Sequence, residues 1–193
     1  LANSRTVALL ALMCFTTARL DARIDDRGHL VPLDCQDRSR WDQSLIREGF
    51  AYLARSSTME AVTATSFHLE AAIAARHCEA PAFEQTDWSS ICNLYDRLLE
   101  VAPSPMVELN RAVAISFRDG APAAIPIVEA IRGSGRLPHT HVVAAVLANL
   151  YMRAGAVGEG RRLLAEALAR TPTPHERQLI ALQIERYAPN RSA

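Results

Sequence analysis

Apolar residues recur along this chain at spacings of three and four, the period of a helix packed on one side. From residue 4 to about 23, Val7, Leu10, Cys14 and Ala18 form one stripe, and Leu9, Leu12 and Phe15 widen it. A helix this apolar is expected to pack on most of its sides. Residues 25–29, with Gly28, break it, and residues 30–33 form an extended connector because Pro32 disfavours helix at the residue before it. A second helix is expected from Asp37 as N-cap to about Arg55, with Trp41, Leu45, Gly49 and Leu53 on one face and Ile46 and Phe50 broadening it. Residues 56–65 read as a loop.

Helix–turn–helix segments then repeat. Residues 66–78 carry Phe67, Leu69, Ala72, Ile73 and Ala75, and Pro81 ends them. Thr86 or Asp87 caps the next helix, whose apolar face is Trp88, Ile91, Cys92, Tyr95, Leu98 and Leu99. Pro105 suits the first position of the helix bearing Met106, Leu109, Val113 and Phe117. Asp119-Gly120 turns the chain, and residues 122–132 return it. After the loop 133–135 come helices over 139–153 and 157–170, joined at Ala154-Gly155. A last helix ends near Tyr187 and carries Glu176, Arg177, Gln178, Gln183, Glu185 and Arg186, polar enough to cap a stack. No alternation persists, so no strand is expected.

Ser104 and Pro138 lie 34 residues apart, and Gly120 and Gly155 lie 35 apart. Two-helix units of about that length mark tetratricopeptide (TPR) arrays, in which each unit must stack on a neighbour to bury its apolar face. The full TPR consensus is not met. The expected fold is therefore an all-α, TPR-like helical repeat array, a right-handed superhelix. Residues 1–60 would form an N-terminal helical portion and residues 61–193 the repeats with their capping helix.

Composition narrows the function. The 193 residues are 49% hydrophobic and 22% charged, enough to bury a real core. Arg and Lys together balance Asp and Glu at 21 each, so nothing argues for a general nucleic-acid or membrane-binding surface. All the basic residues are Arg, which pairs with carboxylates in bidentate fashion. Cys14, Cys35, Cys78 and Cys92 have no close spacing, so each is expected to serve as a small buried residue in a reducing cytoplasm rather than in a disulfide or zinc site. The apolar run 7–15 is too short to span a bilayer, and it continues as helix rather than as a signal-peptide cleavage site. The chain opens on Leu1, which suggests a piece of something longer.

No catalytic constellation emerges. His139 and His141 are two apart and point to different faces of a helix, and His77 and Cys78 are adjacent. No H-E-x-x-H or G-x-S-x-G occurs. Gly133-Ser-Gly135 and Gly158-Glu-Gly160 follow no strand and so do not suggest phosphate loops. The expectation is a protein that is not an enzyme and needs no cofactor or metal.

The stretch 34–42 stands out. Asp34, Asp37, Arg38, Arg40 and Asp42 surround Trp41, between an apolar helix and the repeats. One reading is a helix cap with solvated ion pairs, Arg38 and Asp42 pairing at i,i+4 on the outside. The other is a buried Arg–Asp network, with Arg40 near the cap Asp37, fixing one orientation between two apolar bodies. Gln36, Asp37, Arg38, Arg40, Trp41 and Asp42 are therefore candidate interaction residues. Trp41, Trp88 and Tyr95 are candidate structural anchors. Asn110 and Arg111 lie on the first helix of a two-helix unit, either lining a concave ligand surface or on a solvated face.

Together the motifs Gln36-Asp-Arg-Ser-Arg-Trp-Asp42, Leu69-Glu-Ala-Ala-Ile-Ala-Ala75, Glu79-Ala-Pro81, Thr86-Asp-Trp88, Leu94-Tyr-Asp96, Pro103-Ser-Pro105 and Leu109-Asn-Arg-Ala-Val-Ala114 resemble the C-terminal TPR-like extension of one group of extracytoplasmic-function (ECF) sigma factors. The resemblance runs from about Val7 to Tyr187. This chain differs in having Arg19-Leu-Asp-Ala-Arg23 where the family usually has adjacent arginines, and Cys35 where it usually has an acidic residue. The resemblance implies a cytoplasmic regulator of transcription initiation. It would act through protein–protein contacts with its own sigma regions two and four and with the RNA polymerase core. Promoter DNA would be reached only through those regions, which this chain lacks, and no membrane would be involved. The alternative is a free-standing TPR-like adaptor that binds a peptide or small ligand in its groove.

Overall fold

The computed structural model describes residues 3–26, 28–59, 64–137, 140–171, 177–178 and 180–181. The protein is all-α. Its helices are α1 (Ser4–Thr17), α2 (Gln43–Thr58), α3 (Ser66–Glu79), α4 (Trp88–Val101), α5 (Pro105–Arg118), α6 (Ala121–Ser134), α7 (Thr140–Arg153) and α8 (Val157–Arg170). One isolated antiparallel bridge, Ile24 to Leu30, closes the turn after α1. Among the described residues no helix is long and apolar enough to cross a membrane. His139 and most of the expected capping helix lie outside the described residues; Arg177 and Gln178 lie inside them.

Local chemistry sets the helix starts. Asn3 accepts from the Thr6 amide at 2.9 Å to cap α1, and Asp87 accepts from the Ser90 amide at 2.9 Å to cap α4. Thr65 and His68 form a reciprocal capping box on α3. Pro105 takes the first position of α5, where its missing N–H costs nothing. Gly120 and Gly155 stand between α5 and α6 and between α7 and α8 with φ of +93° and +84°, a conformation that a side chain would strain. The first helix is shorter than its apolar pattern predicts: it ends at Thr17, and a 3-10 turn over Leu20–Ala22 follows.

The helices divide into two compact units, with the boundary between Ser104 and Pro105. The expected division at residues 60/61 therefore falls inside the first unit, because α3 packs directly on α1 and shares its core. Ala11, Phe15, Ala18, Trp41, Ile46, Ala71 and Ala74 close that core. Gly49 of α2 lets α1 approach: a Cβ there would meet the Phe15 ring at 2.8 Å. Phe15 in turn meets Phe50 edge-on at 5.0 Å.

In the second unit α5 through α8 pack consecutively as two helix–turn–helix pairs. Val128, Val143, Ala144, Leu147, Leu150, Leu163 and Leu164 fill its core. Gly160, within the second Gly-x-Gly, sits in α8 and lets it approach α7; a Cβ there would meet Met152 at 2.7 Å and the Ala148 carbonyl at 3.0 Å. The cysteines are free thiols but are not all interior: Cys92 is buried, Cys14 and Cys78 are half-buried, and Cys35 is exposed. Cys35 ends a one-turn 3-10 helix whose three residues all remain accessible.

Candidate interaction site around Trp41

The stretch 34–42 does not begin α2. Residues 38–40 form a single 3-10 turn, and the backbone is extended at Trp41 (ψ 133°) and at Asp42 (ψ 103°) before α2 starts at Gln43. Asp37 and Asp42 each cap what directly follows them. Asp37 accepts from the Ser39 amide at 2.9 Å. Asp42, not Asp37, caps α2, accepting from the Ser44 amide at 2.8 Å and the Leu45 amide at 3.1 Å. The serine hydroxyls and these amides hold the Asp37 and Asp42 carboxyls below the usual carboxylate range.

Because the backbone is not a continuous α-helix here, Arg38 and Asp42 do not stack at i,i+4. Arg38 turns inward. Its guanidinium donates to the carbonyls of His77 at 2.7 Å and Ala80 at 2.6 Å, and to the Thr86 hydroxyl at 3.2 Å. Those carbonyls belong to the C-terminal end of α3, where a helix presents unsatisfied acceptors and partial negative charge. Arg38 thus caps α3 from a distant part of the chain and ties it to the start of α4. The expected buried Arg–Asp network is replaced by an Arg–carbonyl contact. Arg40 points to solvent and is exposed, as are Asp37 and Asp42.

Trp41 completes the joint. It is 3% exposed. The Arg38 guanidinium carbon lies 4.8 Å from its ring centroid, and that of Arg19, just beyond α1, lies at 5.5 Å. The Asp42 amide donates to the Ala18 carbonyl at 2.9 Å, which fastens the stretch to the end of α1. Gln36 anchors the approach through its amide to the Val31 carbonyl at 3.0 Å. One short segment therefore contacts the end of α1, the end of α3 and the start of α4.

Nearby, His77 meets Trp88 edge-on at 5.4 Å, and Phe83 also meets the half-buried Trp88 edge-on at 5.3 Å. Burial, and then the Arg19 and Arg38 guanidiniums, push His77 down to about 4. Burial pushes the Cys78 thiol up to about 11 although the same two guanidiniums oppose it. Among the described residues, the buried Nε atoms of Arg19 and Arg38, Trp41 Nε1, His77 Nδ1 and Gln36 Oε1 have no hydrogen-bond partner. Here the Arg38 guanidinium meets carbonyls, the Arg19 and Arg38 guanidiniums both meet the face of Trp41, and the Glu84 carboxylate lies close enough to Arg38 to favour its charged form. Among the described residues no three His, Cys, Asp or Glu side chains are grouped to hold a metal.

Trp41 is a buried anchor, as its place in the pattern suggests, and Tyr95 and Trp88 are half-buried. Burial, followed by Glu70 and Cys92, raises the Tyr95 phenol to about 12. Asn110 and Arg111 are not part of this site: they lie on α5 in the second unit, Asn110 exposed and Arg111 half-buried. Sequence reasoning missed Arg19, His77 and Thr86 as members. The available signal was the absence of any carboxylate at helical spacing from Arg19, together with the apolar surroundings of His77.

Residues 1–57, which contain the whole 34–42 stretch, match the family of unknown function DUF6596. The chain is also similar to an uncharacterized protein of Rhizobium meliloti (strain 1021), 34% identical over 187 residues. That alignment covers 97% of this chain and 43% of the relative, so the chain spans less than half of the relative's length. No solved structure matches.

Proposed function

We propose that this chain is the regulatory C-terminal extension of an ECF sigma factor, controlling transcription initiation by protein–protein contact. On this reading it works in the cytoplasm against sigma regions two and four and the RNA polymerase core, and promoter DNA is reached only through those regions. The ordered motifs from Gln36 to Ala114 support the reading, as does a relative more than twice as long as the aligned stretch.

One observation carries it furthest. Among the described residues seven large hydrophobic side chains are exposed, and four of them, Leu10, Met13, Leu20 and Ile24, fall between residues 10 and 24. Exposed apolar side chains concentrated in one stretch of the chain are what a protein partner covers. The Trp41 joint, bonded to Ala18 and stacked under Arg19, fixes how this surface stands on α3 and α4.

The test is transcription from a target promoter by the full-length factor, with and without this segment, and with Met13→Asp and Leu20→Asp together. Removal and the paired substitution should both change reporter output while the isolated variant unfolds at the temperature of the unaltered segment. Unchanged output in both cases overturns the reading.

A further inference from the structure

α1 packs on α2 and α3 and buries Val7, Ala8, Ala11 and Phe15. Another stripe of the same helix has no cover. Thr6, Leu10, Met13 and Thr17 follow one another at steps of four, three and four, and all are exposed. Beyond the helix end Leu20 and Ile24 are 51% and 49% exposed. No charged residue falls between Arg5 and Arg19. Along its length the stripe therefore offers a partner only apolar side chains and threonine hydroxyls.

Charge lies at the two ends of the stripe, and it is positive. Arg5 stands at the start, exposed, with its guanidinium carbon 5.1 Å from the Phe67 ring centroid. Arg19 and Arg23 flank Leu20 at the other end; Arg23 is exposed, and Arg19 is half-buried over Trp41. Burial holds the Arg19 pKa down; Cys78 opposes this, and Arg23 and Arg38 reinforce it. Glu84 acts on Arg38 but is not among the groups that act on Arg19. Elsewhere arginines of this chain find carboxylates, as Arg76 does in Glu79 and Arg132 in Glu166. Among the described residues Arg5, Arg19 and Arg23 form no salt bridge, although Asp21 and Asp26 are exposed nearby in the chain.

We propose that this surface binds an acidic amphipathic helix of a protein partner, its apolar face along Leu10, Met13 and Leu20 and its carboxylates at Arg5, Arg19 and Arg23. The apolar stripe supplies area to bury, and the guanidiniums fix register through charge-assisted pairs. A basic helix would meet the same arginines and be repelled. A nucleic acid would reach the arginines and leave Leu10 and Met13 in water. The proposal rests on the partner surface described above and names its occupant; it does not require that occupant to belong to a sigma factor.

The experiment is fluorescence anisotropy on the intact chain with two labelled, designed helices. Both carry leucine on one face; one has glutamate along the flanks of that face and the other has lysine. The glutamate helix should bind at least about tenfold more tightly, and added salt should narrow the gap. Arg5→Glu with Arg23→Glu should weaken the glutamate helix about tenfold and tighten the lysine helix. Met13→Asp should weaken both. All three positions are exposed, and thermal unfolding verifies that the variants fold. Sedimentation equilibrium of the unaltered chain tests the competing occupant: a dimer that Met13→Asp dissolves would assign the surface to a second copy and overturn the proposal. Absence of binding by the glutamate helix, equal binding of the two helices, or indifference to the double charge reversal each overturns it as well. Selective binding with unchanged reporter output would sustain the surface and remove the sigma-factor reading.

Discussion

In the first unit a guanidinium closes the end of a helix and an indole fills the space between α1 and its neighbours; in the second, valine, leucine and alanine do nearly all the sealing. Arg38 reaches the carbonyls of His77 and Ala80, and Trp41 lies beneath it. The counterpart in the second unit is an exposed one: Arg153 donates to the Ser116 hydroxyl and carbonyl near the end of α5 and lies over the Phe117 ring. The unit's other charges work at the edge: Arg132 pairs with Glu166 at 2.8 Å and Arg136 with Glu108 at 2.5 Å, all with accessible side chains. Both units bring two helices together at a glycine, Gly49 against Phe15 and Gly160 against Met152. An aliphatic core needs only volume and period, whereas the Arg–Trp–carbonyl joint needs three distant segments in register. The first unit therefore carries its specificity in a few directional contacts, and disturbing one of them should matter more than a comparable change in the second.

The largest effect should come from Trp41→Ala. Removing a buried indole should cost about 3–5 kcal/mol in urea unfolding, since the cavity adds to the lost transfer term. Leu147→Ala in the second unit should cost about 2–5 kcal/mol by the same mechanism. The difference lies in what else is lost: Trp41→Ala should also increase hydrogen exchange at the end of α3, which Leu147→Ala leaves alone. If both variants change exchange only beside the substitution, the joint does not couple its segments.

Acid should act through the first unit. His77 sits at about 4 when folded, below its unfolded value of 6.5. The unfolded state therefore binds the extra proton between those values. Stability from this group is complete above pH 6.5 and is lost as pH falls toward 4. The loss should reach roughly 3 kcal/mol at most. His77→Phe retains a ring beside Trp88 and should flatten this limb of the stability–pH curve. Equal slopes for the unaltered chain and the variant would assign the acid sensitivity elsewhere.

The glycine contacts sharpen the comparison. Gly49→Ala forces a Cβ to 2.8 Å from Phe15, which Phe50 holds in place, and should cost about 1–3 kcal/mol. Gly160→Ala meets a flexible methionine and gains about 0.8–1.0 kcal/mol of helix propensity, so its net effect should be smaller. Thermal unfolding of the two variants ranks them, and the reverse order would show that the approach to the Ala148 carbonyl dominates.

The smallest effects separate the two arginines of the joint. Arg38→Lys loses the fork that bridges two carbonyls and should destabilise by about 1–2 kcal/mol. Exposed Arg40→Ala should stay within about 0.5 kcal/mol. Arg40 is therefore the cleaner probe of regulation: a change in the full-length factor's transcription with unchanged unfolding would make it a contact residue, whereas unchanged output would leave only the inward side of the stretch at work.

What the sequence determined by itself was the local part. The recurrence of apolar residues at three and four marks the helices, and Asp87, Pro105, Gly120 and Gly155 mark where they start and turn, because caps and turns are settled by neighbours in the chain. Trp41 could be recognised as an anchor because its apolar face repeats through Leu45 and Gly49. Tertiary structure alone decided where Arg38 points, since its partners lie 39 to 48 residues away and an i,i+4 carboxylate looks equally suitable from sequence. It also decided that Asp42 caps α2, because one extended step after Trp41 shifts the helix start beyond Asp37. The boundary at Ser104 and the uncovered stripe of α1 belong to the same class. Both follow from which faces meet, and the helical period shows that a face is apolar without showing what it packs against.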